Sequence, residues 1–329
     1  MTRQITLLLS CIILLLSCRK EEEIVHSTDT NVTEGEQSES IKGFFLLNEG
    51  NMGSNKATID YFDYETGVYT KNIYAERNPG VVKELGDVGN DIQIYGDKLY
   101  AVINCSHFVE VMDVNTAKHI TQISIPNCRY LAFKDRYAYV SSYAGPVLID
   151  PNARLGYVAK VDTVTLQVVD TCTVGYQPDE LVVVGNKLYV ANSGGYRVPN
   201  YDNTISVIDL ETFTEIKKIE VAINLHRLEL DKYGYLYVSS RGDYYYTPSK
   251  TFIIDTKTDQ VIKTLNLLPN TEMTLCGDSL YIYSTEWSYL TNSNTISYAI
   301  YDVAKRKTVT RNFITDGTEK EIAIPYGIA

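Results

Sequence analysis

The sequence predicts an all-β fold, a β-propeller, on three observations. An apolar strand ending in Asp, then a turn with Thr three residues on, recurs as Asp63-Tyr-Glu-Thr66, Asp113-Val-Asn-Thr116, Asp162-Thr-Val-Thr165, Asp209-Leu-Glu-Thr212 and Asp255-Thr-Lys-Thr258, with a degenerate copy at Asp302-Val-Ala-Lys305. The spacings are 50, 49, 47, 46 and 47 residues, a period that propeller blades show. A second marker precedes the first: a polar turn runs into a strand centred on Tyr100, Tyr139, Tyr189, Tyr237 or Tyr281. Finally, no segment of helical length carries a 3.6-residue apolar period, whereas the strands read as buried or alternating.

The elements follow in order along the chain. Residues 1–17 read as a signal peptide: a positive Arg3, then an apolar run from Ile5 to Leu16, too short to span a membrane. This run ends Leu15-Leu16-Ser17-Cys18, which resembles the lipobox of bacterial lipoproteins and implies lipidation at Cys18. The following Arg19-Lys20-Glu21-Glu22-Glu23 resembles the acidic signal that sends lipoproteins of Bacteroidota to the outer face of the outer membrane. The rest of residues 18–42 is Ser-, Thr-, Glu- and Asn-rich and is expected to be a disordered tether. Lipid chains would anchor such a tether without a transmembrane helix.

The propeller is expected over residues 43–329. Asp in the recurrent turn can bond its own backbone two residues on, so the Asp marker is read as a structural hairpin between the third (c) and fourth (d) strands of each blade. Residues 43–74 supply strands b, c and d of a first blade, and complete blades start near Gly89, Arg129, Glu180, His226 and Glu272. A further strand a is expected from Ile322 to Ala329.

The repeat, the opening Phe44-Phe45-Leu46-Leu47-Asn48-Glu49-Gly50-Asn51 and the ending Pro325-Tyr326-Gly327-Ile328-Ala329 resemble the YncE-like propeller lipoproteins of the Bacteroides surface, most of all the BtuG-type vitamin B12-binding lipoproteins. That resemblance covers residues 43–329. It implies a seven-bladed propeller, here truncated in the last blade, with a closed six-bladed ring as the alternative. It also implies a cell-surface protein that captures cobalamin and passes it to a TonB-dependent transporter of the outer membrane. Cobalamin would then be a transported ligand and not a cofactor.

A ligand is expected on the face formed by the b–c and d–a loops, because those loops are long and aromatic while the opposite turns are tight. The b–c loops run over residues 48–55, 104–107, 142–156, 192–204, 240–250 and 284–295. They contribute Asn48, Asn51, Asn104, His107, Tyr143, Asn192, Tyr196, Arg241, Tyr244, Tyr245, Trp287 and Tyr289 as candidate ligand-binding residues. From the d–a loops come Arg129, Tyr130, Tyr176 and His226, with Tyr326 as a further aromatic. Flat aromatics for packing and Asn, Arg or Tyr groups for hydrogen bonds suit a large amide-bearing ligand; they suit sugar rings too, so a glycan-binding lipoprotein is the alternative.

Other chemistries lack support. A net charge of −11 argues against nucleic acid as a partner. The 4 histidines form no HExxH or close pair, so neither a metal site nor a catalytic residue is expected. No nucleophile elbow, P-loop or dinucleotide fingerprint occurs, and the protein is expected not to be an enzyme. Asp179-Glu180 reads as a chance pair in an acidic chain. Cys105, Cys128, Cys172 and Cys276 are expected to be free buried thiols, although a Cys105–Cys128 disulfide is conceivable.

Overall fold

A computed structural model describes residues 26–35, 41–81, 84–265 and 272–311. The signal peptide, Cys18, the acidic run behind it, Tyr326 and the strand expected from Ile322 lie outside the described residues. Within those residues the fold is all-β, apart from one short helix α1 (Ile73–Arg77) that carries no signature in the sequence.

Six four-stranded antiparallel sheets account for the strands. The first holds β1 (Thr28–Asn31), β4 (Val68–Lys71), β3 (Thr58–Asp63) and β2 (Gly43–Asn48), in that spatial order. The second runs β5 (Gly89–Tyr95), β6 (Lys98–Ile103), β7 (Phe108–Asp113), β8 (His119–Ser124), and the third β9 (Cys128–Lys134), β10 (Tyr137–Ser142), β11 (Tyr157–Asp162), β12 (Gln167–Thr173). The fourth is β13 (Pro178–Val184), β14 (Lys187–Asn192), β15 (Thr204–Asp209), β16 (Thr214–Glu220), and the fifth β17 (Leu225–Leu230), β18 (Tyr235–Ser240), β19 (Lys250–Asp255), β20 (Gln260–Leu265). The last is β21 (Glu272–Cys276), β22 (Ser279–Ser288), β23 (Ser293–Asp302) and β24 (Lys307–Thr310). Among the described residues the blades number six, which matches the alternative reading and not the seven that the family resemblance implies.

One edge strand of each sheet touches that of the next in order, β2 to β5 to β9 to β13 to β17 to β21. Between the sheets lie five apolar clusters, each drawing side chains from two neighbouring blades, such as Tyr100, Val109 and Val111 against Leu131, Val140 and Ala159. This explains why the marker strands are apolar on both faces. Tyr100, Tyr139, Tyr189 and Tyr237 are fully buried in these layers.

The Asp marker behaves as its chemistry dictates. Asp113 Oδ1 accepts from the N–H groups of Asn115 and Thr116 and from the Thr116 hydroxyl, at 2.8–3.1 Å, and Asp209 repeats the pattern with Glu211 and Thr212 at 2.9–3.2 Å. Four residues after each marker Asp, the chain adopts a positive φ at Gly67, Ala117, Leu166, Phe213, Asp259 and Arg306. Only one of these is glycine, so the reversal is imposed by the Asp-centred hydrogen bonds.

Three expectations need correction. Residues 28–31, placed in a disordered tether, form β1: the open edge of β4 offers unpaired backbone groups, and Thr70 Oγ1 donates to Asp29 Oδ1 at 2.7 Å. The loop expected over 284–295 is mostly hairpin, since β22 and β23 pair from Ser279↔Asp302 out to Ser288↔Ser293. Cys105, Cys128, Cys172 and Cys276 are free thiols, but Cys276 is exposed and Cys105 only partly buried.

Candidate ligand-binding face

The first strands of four consecutive blades begin in the same way. Val88, Asn127, Gln177 and Asn224 precede strands β5, β9, β13 and β17, and all four have positive φ. Asn tolerates this region better than most residues. Each carbonyl accepts an N–H from the residue just beyond the blade's second strand: Asn104, Tyr143, Ser193 and Arg241. The side chains tie down the b–c loops. Asn224 Nδ2 donates to the Gly242 carbonyl at 2.9 Å, Asn127 Nδ2 to that of Gly145, and Gln177 Oε1 accepts the Tyr196 N–H at 2.7 Å.

Immediately after this turn the ladder skips. The register shifts between Gly89 and Asp91, Cys128 and Leu131, Pro178 and Leu181, and Leu225 and Leu228. The residues left out are Asn90, Arg129-Tyr130, Asp179-Glu180 and His226-Arg227. Bulges re-aim side chains, and here they aim them at one place. Serines of the second strands hold two of these bulges: Ser141 Oγ accepts from the Tyr130 N–H at 3.1 Å and Ser239 Oγ from that of Arg227 at 2.9 Å. Arg129, Tyr130 and His226 thus belong to strands, not to the d–a loops expected to carry them.

Asp179 is the hub of the resulting cluster, with 0% of its surface exposed. Its Oδ1 accepts from Arg129 Nε at 3.2 Å and from the Tyr143 hydroxyl at 2.8 Å. Its Oδ2 lies 3.3 Å from Arg241 Nη1 and 3.2 Å from His226 Nδ1. Burial alone would raise the Asp179 carboxyl, but Arg129, His226 and Arg241 together hold it well below the usual carboxylate range. His226 is held below its ordinary value, first by burial and then by Arg241 and Arg227. His226 Nε2 is shared between the Arg241 Nη2 donor at 2.9 Å and the Glu272 Oε1 acceptor at 3.3 Å, while Nδ1 faces the Asp179 carboxylate.

Arg227 completes the group from the other side. Its Nε lies 2.5 Å from Glu272 Oε2 and its Nη1 3.4 Å from Glu180 Oε1. Burial would raise Glu272, but His226 and Arg227 bring it down to about 2. Glu180 is pushed up to about 8 by burial, against the opposing pull of Arg227. Its Oε2 accepts the Leu228 N–H at 2.6 Å, as Asp91 Oδ2 accepts that of Leu131 at 2.8 Å. These carboxylates satisfy backbone donors on the unpaired inner edge of the next blade's first strand. Asp179 and Glu180 are thus structural centres and not a chance pair.

A second group lies beside the first. Tyr245 and Tyr289 stack with ring centroids 5.1 Å apart at 20°, and Trp287 meets Tyr289 edge-on at 6.2 Å. Both stacked tyrosines are exposed. Asp243 Oδ1 holds their loop by accepting the N–H groups of Tyr245, Tyr246 and Thr247 at 2.8–2.9 Å, and Tyr289 N–H donates to the Tyr244 carbonyl at 3.3 Å. Tyr244 is within electrostatic range of Arg241, Tyr196 and Tyr201, which joins the ledge to the charged cluster.

The remaining candidates brace the scaffold. Asn48 Nδ2 donates to Thr58 Oγ1 at 3.0 Å. Asn104 Nδ2 donates to the Cys128 carbonyl at 2.9 Å, and His107 Nδ1 accepts the Asn127 N–H at 3.2 Å. Buried Asn192 donates to Thr204 and Ser206 at 3.1 and 2.9 Å and accepts from Gly175 N–H at 3.1 Å. Asn51 is exposed, with its carbonyl accepting from Ser54, and Tyr176 lies under the Arg197 guanidinium at 3.5 Å. Beside Tyr143 and Gln177 is a cavity of about 230 Å³, below the roughly 300–1,000 Å³ of pockets that enclose drug-sized ligands. Among the described residues there is no His/Cys/Asp/Glu group placed to hold a metal ion, and no helix long and apolar enough to cross a membrane.

Fold and face together define a β-propeller built to present loops and bulged strand starts at one end. The chain belongs to the family described as "Domain of unknown function (DUF5074)", whose model matches residues 42–328. No curated protein matches the sequence. Among solved structures it is similar to hydrazine synthase of Kuenenia stuttgartiensis, at 17% identity and a TM-score of 0.55, over 68% of this chain and 65% of that one. It is also similar to the dihydro-heme d1 dehydrogenase NirN in complex with DHE, at 13% identity and TM-score 0.52, over 81% and 54% of the two chains. A third likeness is to the Pan2 WD40 domain of Neurospora crassa, at 12% identity and TM-score 0.50, over 68% and 65%. The chain spans less than two thirds of each of these chains, and identities this low speak for the fold alone.

Proposed function

We propose that this protein is a lipid-anchored surface lipoprotein of the YncE-like, BtuG type that captures vitamin B12 and delivers it to a TonB-dependent transporter of the outer membrane. It acts by binding, not by catalysis. The observation that carries this reading is the pairing of a buried hydrogen-bonding centre, Arg129–Asp179–Arg241–Tyr143, with an exposed stacked ledge, Tyr245–Tyr289–Trp287, on one face. Cobalamin has an apolar corrin plane edged with amides and therefore wants both. Isothermal titration of the full-length protein in detergent with cyanocobalamin tests the reading: saturable heat at micromolar concentration is expected, and its absence sinks it. The Tyr245–Tyr289 stack also supports a second reading, capture of glycans, since exposed tyrosine planes accept sugar rings. A glycan pull-down with the same protein separates the two.

A further inference from the structure

We infer that the guanidinium pair Arg129–Arg241 forms a subsite for an anionic group, a phosphate or carboxylate carried by the small molecule this face takes; this deepens the capture reading and rests on it. The chain carries a net charge of −11, yet three arginines converge at the inner ends of its third and fifth blades. Arg227 has its own carboxylates, Glu272 and Glu180. Arg129 and Arg241 share only one, Asp179, and His226 beside it supplies no negative charge in either protonation state. The pair thus keeps one positive charge without an ion-pair partner among the described residues.

Geometry makes that charge available. Arg129 donates to Asp179 through Nε alone, and its two terminal amino groups have no hydrogen-bond partner among the described residues. The Tyr143 and Tyr130 rings lie 5.0 and 5.7 Å from its guanidinium carbon and fix the plane. A guanidinium edge held in this way matches the two oxygens of a phosphate or carboxylate. The Arg129 and Arg241 side chains keep 14% and 27% of their surface exposed, enough for a ligand to reach them and little enough that bulk water screens the pair weakly. Glu49 faces both arginines from the end of the first blade's β2 and makes no ion pair with either, so it competes with an incoming anion.

Calorimetry of the full-length protein in detergent with inorganic phosphate, against sodium chloride at equal ionic strength, tests the subsite. Wild type is expected to bind phosphate saturably. Arg129→Met and Arg241→Met are each expected to weaken it at least tenfold, Glu49→Gln to strengthen it several-fold, and Arg136→Met, whose guanidinium pairs with Asp162 at the opposite end of the third blade, to leave it unchanged. Circular dichroism confirms that each variant is folded, and Arg241→Lys, which keeps the charge and loses the fork, gives an intermediate affinity where the Met variant is not. Heat equal to the chloride control, or full affinity in both Met variants, overturns the subsite. The capture reading is scored separately with cyanocobalamin: unchanged cobalamin affinity in the Met variants overturns the subsite and leaves capture standing, whereas phosphate binding without any cobalamin binding supports the subsite and removes cobalamin.

Discussion

Replacing Asp179 by Asn tests the hub with almost no change of shape. The carboxylate accepts from the Arg129 Nε, the Tyr143 hydroxyl, the Arg241 Nη1 and the His226 Nδ1 at 2.8–3.3 Å. An Asn side chain can keep its oxygen toward Arg129 and Tyr143, but its amino group must then face the N–H donors of Arg241 and His226. The variant therefore loses the shared counter-charge of two half-buried guanidiniums and sets donor against donor. Removing one partner of a buried ion pair costs about 3–5 kcal/mol. For a domain of this size that corresponds to a fall in melting temperature on the order of 10 °C. Urea denaturation gives the free energy directly, provided the m-value is unchanged. A double-mutant cycle with Arg129→Met should show a coupling above about 1 kcal/mol, since both residues belong to one network. A loss below about 1 kcal/mol in Asp179→Asn, or strict additivity in the cycle, would refute the reasoning.

Glu180 should make stability fall with rising pH. Its ordinary value of 4.5 is pushed up to about 8 in the fold, so its contribution is full below pH 4.5, declines as pH rises and levels off above about 8. The Glu180→Gln variant should lose this slope, so its melting temperature relative to wild type should climb between pH 5 and 8; a parallel pH profile for the two proteins would contradict the assignment. Asn224 holds a positive φ and ties the Gly242 carbonyl: Asn224→Ala should cost about 2 kcal/mol by adding backbone strain to the lost bond, and Asn224→Gly only about 1, as read by denaturation midpoints. Equal losses would show that backbone strain is not a factor. Tyr289→Ala removes one plate of the stack with Tyr245 and should weaken ligand binding by about 1–2 kcal/mol while leaving the melting temperature unchanged; undiminished binding would take the ledge out of the site.

Much of the fold was legible because its signals are local. The Asp markers at 63, 113, 162, 209, 255 and 302 need only their own turn to work, and the Tyr-centred strands need only an apolar layer on each side. The blade starts expected near Gly89, Arg129, Glu180, His226 and Glu272 fall within two residues of the observed strand starts. Misreadings arose where a neighbour decides. Nothing in residues 28–31 by themselves asks for a strand; the open edge of β4 does. Asn104, His107 and Asn192 each engage a partner from elsewhere in the chain that the local sequence does not announce. Arg129, Asp179 and His226 each follow the first residue of their blade's inner strand, so an alignment of the repeats places Asp179 with the other two.

The sequence by itself determined the blade, its strand order and the end at which long aromatic loops gather, because hydrophobic period and turn chemistry act over a few residues. Tertiary structure alone decided the number of sheets and the convergence of Arg129, Asp179, His226, Arg241 and Glu272. Those residues come from four successive blades, the third to the sixth. Their meeting depends on bulges skipping the ladder at matching places in separate sheets, and on each sheet's rotation relative to the next, which no single repeat encodes.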